Sequence, residues 1–364
     1  MSPRLVILAN NVDEVGGAQR VVHTLAAGFA ARGHDVTLIG IESRQHLRES
    51  LSSQALPYSV VRLLDEGYVK EPGPELEAQR ADVIARLQAI LDSGPAGIII
   101  TAQVWAMEHV SQCDLAGWRR IGQYHSSFEA ASHGPDLQRV LDAYWQADRF
   151  LALTPVDAAQ FTAAGMPNAE AMPNPLASWP APAADPQSRV ITYLGRFSVE
   201  KAPMTLVQAW RILTWSGRLP DWQLQFVGSG PYDRRLREAI DELPRLSVRE
   251  PVADAYELLT GTGILASPSL IEGLPLAVME ALACGVPVVA SDCSAGVREL
   301  LDDERCGVLV SRGDAADLAR GLATLAENAE LRAGMGEHGR RHMESYRLDR
   351  VLDRWERLFA QVLR

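Results

Sequence analysis

The chain has 364 residues, 47% hydrophobic and 22% charged, a composition that fits a globular protein large enough for two cores. Its formal net charge of −11 argues against nucleic acid as a partner, because phosphate neutralisation needs clustered Lys and Arg. Acid exceeds base in both halves, with 13 basic and 20 acidic residues up to Ser178 and 22 and 26 beyond it, which leaves at most peripheral membrane contact.

The opening "MSPRLVILANN" carries one Arg and a short apolar strand, less than a signal-peptide core. Nowhere does an apolar run reach the roughly 18 residues of a membrane span. The four cysteines (Cys113, Cys284, Cys293, Cys306) show neither CxxC nor Cys/His metal spacing. No metal site or disulfide framework is expected, and a cytoplasmic location is.

In chain order, "LVILAN" (5–10) predicts a strand and "AQRVVHTLAAGFAARG" (18–33) a helix closed by Gly33. Further strands are expected at 35–41, 58–64, 97–101, 119–125 and 149–154, with helical stretches between them, including one near 75–92. Continuous Val/Ile/Leu strands alternating with helices indicate a parallel sheet covered on both faces. The segment 174–189, rich in Pro, Ala and Ser, then interrupts the pattern as a linker would. Strands restart at 190–196, 224–228, 263–269, 286–292 and 307–311, and a charged helical tail begins near 329.

The expected fold class is therefore α/β, with two doubly wound Rossmann-like domains facing an interdomain cleft. The boundaries read as 1–176, a linker at 177–189, a second domain at 190–342, and a C-terminal helix at 343–364 that packs back on the first domain. Open parallel sheets bind ligands at the carboxyl ends of their strands.

Two stretches of the second half hold candidate chemistry at such positions. "GRFSVEK" (195–201) follows a strand and precedes a helix opened by Pro203, so Arg196 and Lys201 are placed to meet an anion such as a diphosphate. Lys201 is one of only two lysines in the chain, Lys70 being the other. The plainer reading is a pair of solvated surface cations.

"SLIEGLPLAVMEALACGVPVVASD" (269–292) places two carboxylates in an apolar run. With Pro275 in the first turn of a helix, Glu272 falls in the preceding loop and Glu280 inside the helix. The amides of Gly273 and Leu274 then lie at its positive end, which favours a phosphate. At about 1.5 Å per residue, Glu280 sits a further 7 to 8 Å along, roughly the span from a diphosphate to a ribose. The competing reading is one exposed helical Glu and one loop Glu.

The E-x7-E spacing of Glu272 and Glu280 strongly resembles the donor-site signature of the retaining glycosyltransferases of family 4, which have the GT-B architecture of two Rossmann-like domains. "VGGAQRVVHTLAAGFAARGHDVTLI" (15–39), "MPNPL" (172–176), "YLGRFSVEK" (193–201) and "VGSGP" (227–231) resemble further segments of that family in the same order. The resemblance implies that Arg196 and Lys201, with Gly195 beside them, neutralise the donor diphosphate. It implies that Glu280 binds the ribose and Glu272 the transferred sugar, with the amides of Gly273 and Leu274 adjacent. Gly16 and Gly17 would let the loop after the first strand approach phosphates and acceptor, and Gly228 would turn the chain near the nucleotide. His125, at the end of "IGQYH", resembles the family's histidine beside the sugar; alternatively it is a satisfied strand-end imidazole.

Two positions depart from the pattern. Where the family often has Lys-Gly with an Asp two residues beyond the pair, this chain has Lys201, Ala202, Pro203 and Met204, and Gln19 stands where many members have Glu.

The implied activity is metal-independent retaining transfer of a hexosyl group from a nucleotide-sugar co-substrate, UDP- ahead of GDP-, with no cofactor. The acceptor is expected to be a cell-surface polysaccharide or polyol-phosphate polymer or its precursor, with a soluble natural product such as an antibiotic as the alternative. From other classes, a nicotinamide dehydrogenase would need GxGxxG straight after the first strand. A phosphorylase would need a pyridoxal lysine, for which Lys70 is badly placed. An inactive sugar-nucleotide-binding module is the third rival.

Overall fold

The computed structural model describes residues 2–13, 16–43, 56–65, 67–69, 71–134, 136–180 and 183–364, the side chain of Ile240 excepted. Lys70 and residues 181–182 of the Pro-rich stretch lie outside them. The chain divides into two compact units, residues 1–177 with 348–364, and residues 178–347.

The first unit begins with β1 (Leu5–Asn11), α1 (Gly17–Ala31), β2 (Val36–Glu42) and β3 (Ser59–Arg62). It continues through α2 (Pro74–Asp92), β4 (Ile98–Thr101), α3 (Val104–Val110) and β5 (Arg119–Gln123), then α4 (Phe128–Ser132) and α5 (Asp136–Tyr144). β6 (Arg149–Ala152), α6 (Pro155–Ala163) and β7 (Ala169–Ala171) complete the sheet. Strand order is β3-β2-β1-β4-β5-β6-β7, and every pairing is parallel. The central strands are apolar for most of their length because both faces are covered: Leu5 to Leu8 and Ile98 to Ile100 are all buried, and polar residues enter only at the carboxyl ends, with Asn11 and Thr101. The order reverses between β1 and β4, which puts a ligand crevice at their carboxyl ends.

The second unit runs β8 (Val190–Leu194), α7 (Pro203–Trp215), β9 (Gln223–Val227), α8 (Asp233–Glu242), β10 (Leu246–Arg249) and α9 (Ala255–Thr260). Then come β11 (Ile264–Ser267), α10 (Leu276–Ala283), β12 (Val288–Ser291), α11 (Ala295–Leu301) and β13 (Gly307–Val310). α12 (Ala315–Glu327) and α13 (Ala329–His342) follow. This parallel sheet has the order β10-β9-β8-β11-β12-β13, with its switch point between β8 and β11. The described part of 178–189 is bonded to this unit. The Ala184 amide donates to the Cys284 carbonyl at 2.7 Å, and Trp179 lies under the guanidinium groups of Arg340 and Arg347.

The final helix, α14 (Leu348–Val362), belongs to the first unit. Val351, Leu352, Trp355, Leu358, Phe359 and Val362 form one helical stripe and are all buried. The ring of Phe29 on α1 packs against Trp355 and Phe359, while Arg32 pairs with Asp353 at 2.8 Å and Glu356 at 3.0 Å.

Candidate active site

In the second unit the segment 195–201 leaves β8 at the switch point and is fixed by backbone contacts. The Gly195 amide donates to the Val227 carbonyl at 3.1 Å and the Phe197 amide to the Ser229 carbonyl at 2.8 Å. Gly228 makes this possible: a Cβ there would stand 2.0 Å from the Gly195 carbonyl oxygen, and its φ of +151° is itself unfavourable for a side chain. Gly228 thus has a packing reason for being glycine, whatever it does for a ligand. On the other side, the Glu200 carbonyl accepts from the Leu270 amide at 2.8 Å, tying the segment to the loop before α10.

That tie brings two of the candidate residues together. The Lys201 ammonium lies 2.7 Å from each oxygen of Glu272, and Ser269 Oγ donates to Glu272 Oε1 at 2.7 Å. Glu272 is 8% exposed, so its carboxylate is held by these donors rather than by bulk water. Arg196 is exposed. Burial would raise the Glu200 carboxyl, but its own amide, Ser198 and the charges of Arg196 and Lys201 hold it below the usual value. Arg196, Glu200, Lys201 and Glu272 therefore form one charged cluster at the start of α7.

Glu280 is 2% exposed on α10, among Val278, Met279, Ala281, Leu282 and Ala283. The reading of Glu280 as an exposed helical side chain is excluded. Burial, with the Glu280 charge adding to it, pushes the Tyr256 hydroxyl up to about 12, and Tyr256 in turn donates to the Ser178 carbonyl at 2.9 Å. Gly273 and Leu274 precede the helix as expected, but Pro275 is its capping residue, with ψ 119°, rather than part of the first turn. α10 begins at Leu276.

The first unit holds the remaining candidates, at the carboxyl edge of its own sheet. Gly16 caps α1 with an extended backbone, and Gly17 is the first helical residue. β5 ends at Gln123, so His125 lies in the loop beyond it rather than in a strand. Both ring nitrogens are buried, and burial pulls the imidazole down to about 4 despite the opposing effect of the Asn174 side chain. His125 is therefore neutral at pH 7. Gln123 Nε2 donates to the Met172 carbonyl at 3.2 Å, joining β5 to the "MPNPL" segment that carries Asn174.

Ser269, Tyr256 and Asn174 were not singled out in the sequence. Ser269 opens the very motif that contains Glu272 and was legible by its spacing; the other two act across distances that no local pattern encodes.

Residues 15–176 match the model of Glycosyltransferase Family 4, and residues 188–328 match that of Glycosyl transferases group 1. Between them the two models span most of both units. The chain belongs to the family 4 glycosyltransferases.

A glycosyltransferase of Haemophilus influenzae, itself uncharacterised, is 26% identical to this one over 95% of this chain and 97% of its own length. The amylovoran biosynthesis glycosyltransferase AmsD of Erwinia amylovora is 24% identical over 97% and 98%. Among solved structures, a TarM mutant of S. aureus, in complex with fondaparinux, α-GlcNAc-glycerol and UDP, superposes with a TM-score of 0.83 at 11% identity, covering 98% and 99% of the two chains. HepE of Anabaena with UDP and glucose gives a TM-score of 0.78 at 16% identity, covering 98% and 100%. These likenesses establish the GT-B fold for this glycosyltransferase. Among its described residues no helix is long and apolar enough to cross a membrane.

Proposed function

We propose that the enzyme is a retaining hexosyltransferase. It takes a hexosyl group from a nucleoside-diphosphate sugar, UDP- ahead of GDP-, and delivers it to a hydroxyl of a cell-surface polysaccharide or polyol-phosphate polymer or its precursor. One observation carries the donor assignment: the Lys201–Glu272 pair sits directly before α10, and the only carboxylate on that helix, Glu280, is buried. TarM and HepE support the uridine nucleotide, having been solved with UDP. AmsD, named for amylovoran biosynthesis, supports a surface glycan.

In this reading Arg196 and Lys201 stabilise the charge that develops on the leaving diphosphate, assisted by the positive end of α10. Glu272 exchanges its Lys201 partner for hydroxyls of the transferred sugar, while Glu280 accepts from the ribose diol. The acceptor hydroxyl attacks from the face the diphosphate leaves, and its proton passes to the departing phosphate oxygen. His125, being neutral, serves as a hydrogen-bonding group beside the sugar and adds no charge. The sequence has no Asp-x-Asp, so the two cations take the role a bound metal plays elsewhere, and transfer proceeds without one.

A thermal-shift and hydrolysis panel of UDP-, GDP- and ADP-sugars tests the reading. A UDP-sugar should raise the melting temperature and be slowly hydrolysed without acceptor, and EDTA should leave the rate unchanged. The donor assignment is wrong if no sugar nucleotide binds, or if Arg196→Ala and Glu280→Ala both bind like wild type.

A further inference from the structure

Arg196 and Lys201 act at a distance from the sheet that supports them, so something must fix the peptides between. The Phe197 amide and carbonyl are held by Ser229 and Tyr232, and the Glu200 carbonyl by Leu270. The Arg196 carbonyl has a different kind of anchor. Tyr193, the fourth residue of β8, sends its ring back along Gly195 and donates its hydroxyl to that carbonyl at 2.6 Å. The ring passes close beside Gly195, where a Cβ would stand in ordinary van der Waals contact with the Tyr193 hydroxyl at 3.8 Å. The ring is 3% exposed and packs on Phe197 and Phe226. Burial, with the charges of Glu272 and Glu200 nearby, drives the phenol far above its ordinary value, so it remains a donor at any working pH.

We infer that the Tyr193 hydroxyl is a positioning group for the donor-phosphate cations: it fixes the peptide that follows Arg196 and so aims Arg196 and, through the pinned segment, Lys201. This rests on the donor site proposed above. Tyr193 touches no ligand in this scheme. It acts on the phosphate end of the site and leaves the ribose end at Glu280 alone. A hydroxyl that merely supported the fold would show no such asymmetry.

The test uses the full-length protein and titration calorimetry. Of UDP, GDP and ADP, the diphosphate that wild type binds most tightly is compared with its own monophosphate. Tyr193→Phe keeps the ring and its packing and removes one donor. Its affinity for the diphosphate should fall about five- to tenfold, the change expected from losing one hydrogen bond, while its affinity for the monophosphate stays at the wild-type value.

Wild-type affinity for the diphosphate in Tyr193→Phe would overturn the inference. So would equal weakening of both nucleotides, which marks a general structural role. Arg196→Ala and Glu280→Ala run alongside separate the two levels. If they weaken binding and Tyr193→Phe does not, the inference alone fails. If they bind like wild type, or if no diphosphate binds wild type, the donor site fails and the inference with it.

Discussion

Lys201 holds both oxygens of Glu272 at 2.7 Å across 71 residues of sequence, so two groups assigned to different parts of a donor neutralise each other. Glu272 is the more buried partner and carries the larger desolvation penalty. Lys201→Met should therefore destabilise the protein by about 1–3 kcal/mol and lower its melting temperature by several degrees. The double variant Lys201→Met/Glu272→Gln should recover part of that stability, because it leaves no buried charge without its partner, yet stay inactive in transfer. Thermal melts and initial rates of wild type and the two variants decide the matter; a double variant less stable than Lys201→Met would contradict it.

Glu280 is buried on α10, and the ribose assignment gives it one ligand feature to read. Wild type should bind UDP more tightly than 2′-deoxy-UDP by about 1–3 kcal/mol, the cost of leaving a buried acceptor unmatched. Glu280→Gln should weaken UDP and erase the preference. If the variant discriminates between the two nucleotides as well as wild type does, the carboxylate is not at the ribose.

The central strands were legible because burial on both faces leaves little choice of residue, as "GIIIT" before α3 illustrates. Both sheets nevertheless end in strands that the sequence did not announce, β7 (Ala169–Ala171) and β10 (Leu246–Arg249). One is three residues long with Glu170 exposed, and the other alternates buried Leu246 with exposed Ser247, as edge strands facing water do. In the site, residue types and spacing pointed to Arg196, Lys201, Glu272 and Glu280 through a family resemblance. What spacing could not reveal is pairing. The Lys201–Glu272 contact and Asn174 beside His125 depend on loops brought together by the sheets, and the hydroxyl of Tyr193 on the Arg196 carbonyl, though only three residues away, depends on the turn the chain makes at Gly195.

His125 links the site to acid stability. Its folded-state value is about 4 against 6.5 for an unperturbed imidazole. The unfolded chain therefore takes up the extra proton between those values, and stability rises with pH across them. The contribution is complete above about pH 6.5. It is lost as pH falls toward 4, up to about 3 kcal/mol at about 1.4 per unit. His23 and His109 are also lowered by burial and act in the same direction, so the control is the variant rather than wild type alone. Denaturant melts at pH 7 and 5 should show a smaller loss for His125→Gln than for wild type. An equal loss in both would mean that the imidazole is not held neutral.

Ala202, the residue that departs from the family's Lys-Gly pair, has φ 44° and ψ 47° at the cap of α7. A side chain in the left-handed region costs about 1–2 kcal/mol, partly offset by the greater freedom glycine would have in the unfolded chain. Ala202→Gly should thus stabilise the protein by up to about 1 kcal/mol and raise the melting temperature by about 2–4 °C. A lower melting temperature would show that the methyl group's burial outweighs the strain.

Gly17 and Gly228 differ in what a side chain would meet in the folded protein. A Cβ on Gly17 would meet nothing within 4 Å, and the residue opens α1 with ordinary backbone angles. Gly17→Ala should hold or raise stability, by up to about 1 kcal/mol from helix propensity. If the loop after β1 approaches phosphates or acceptor as the family resemblance implies, its activity should still fall at least tenfold. Gly228→Ala drives a Cβ against the Gly195 carbonyl at a positive φ and should cost about 3 kcal/mol or more. It should also displace the segment bearing Arg196 and so weaken nucleotide binding. Melting temperature and initial rate, measured on both variants, should therefore move apart for Gly17→Ala and fall together for Gly228→Ala. Full activity in Gly17→Ala would mean that the glycine loop of the first unit meets neither phosphates nor acceptor.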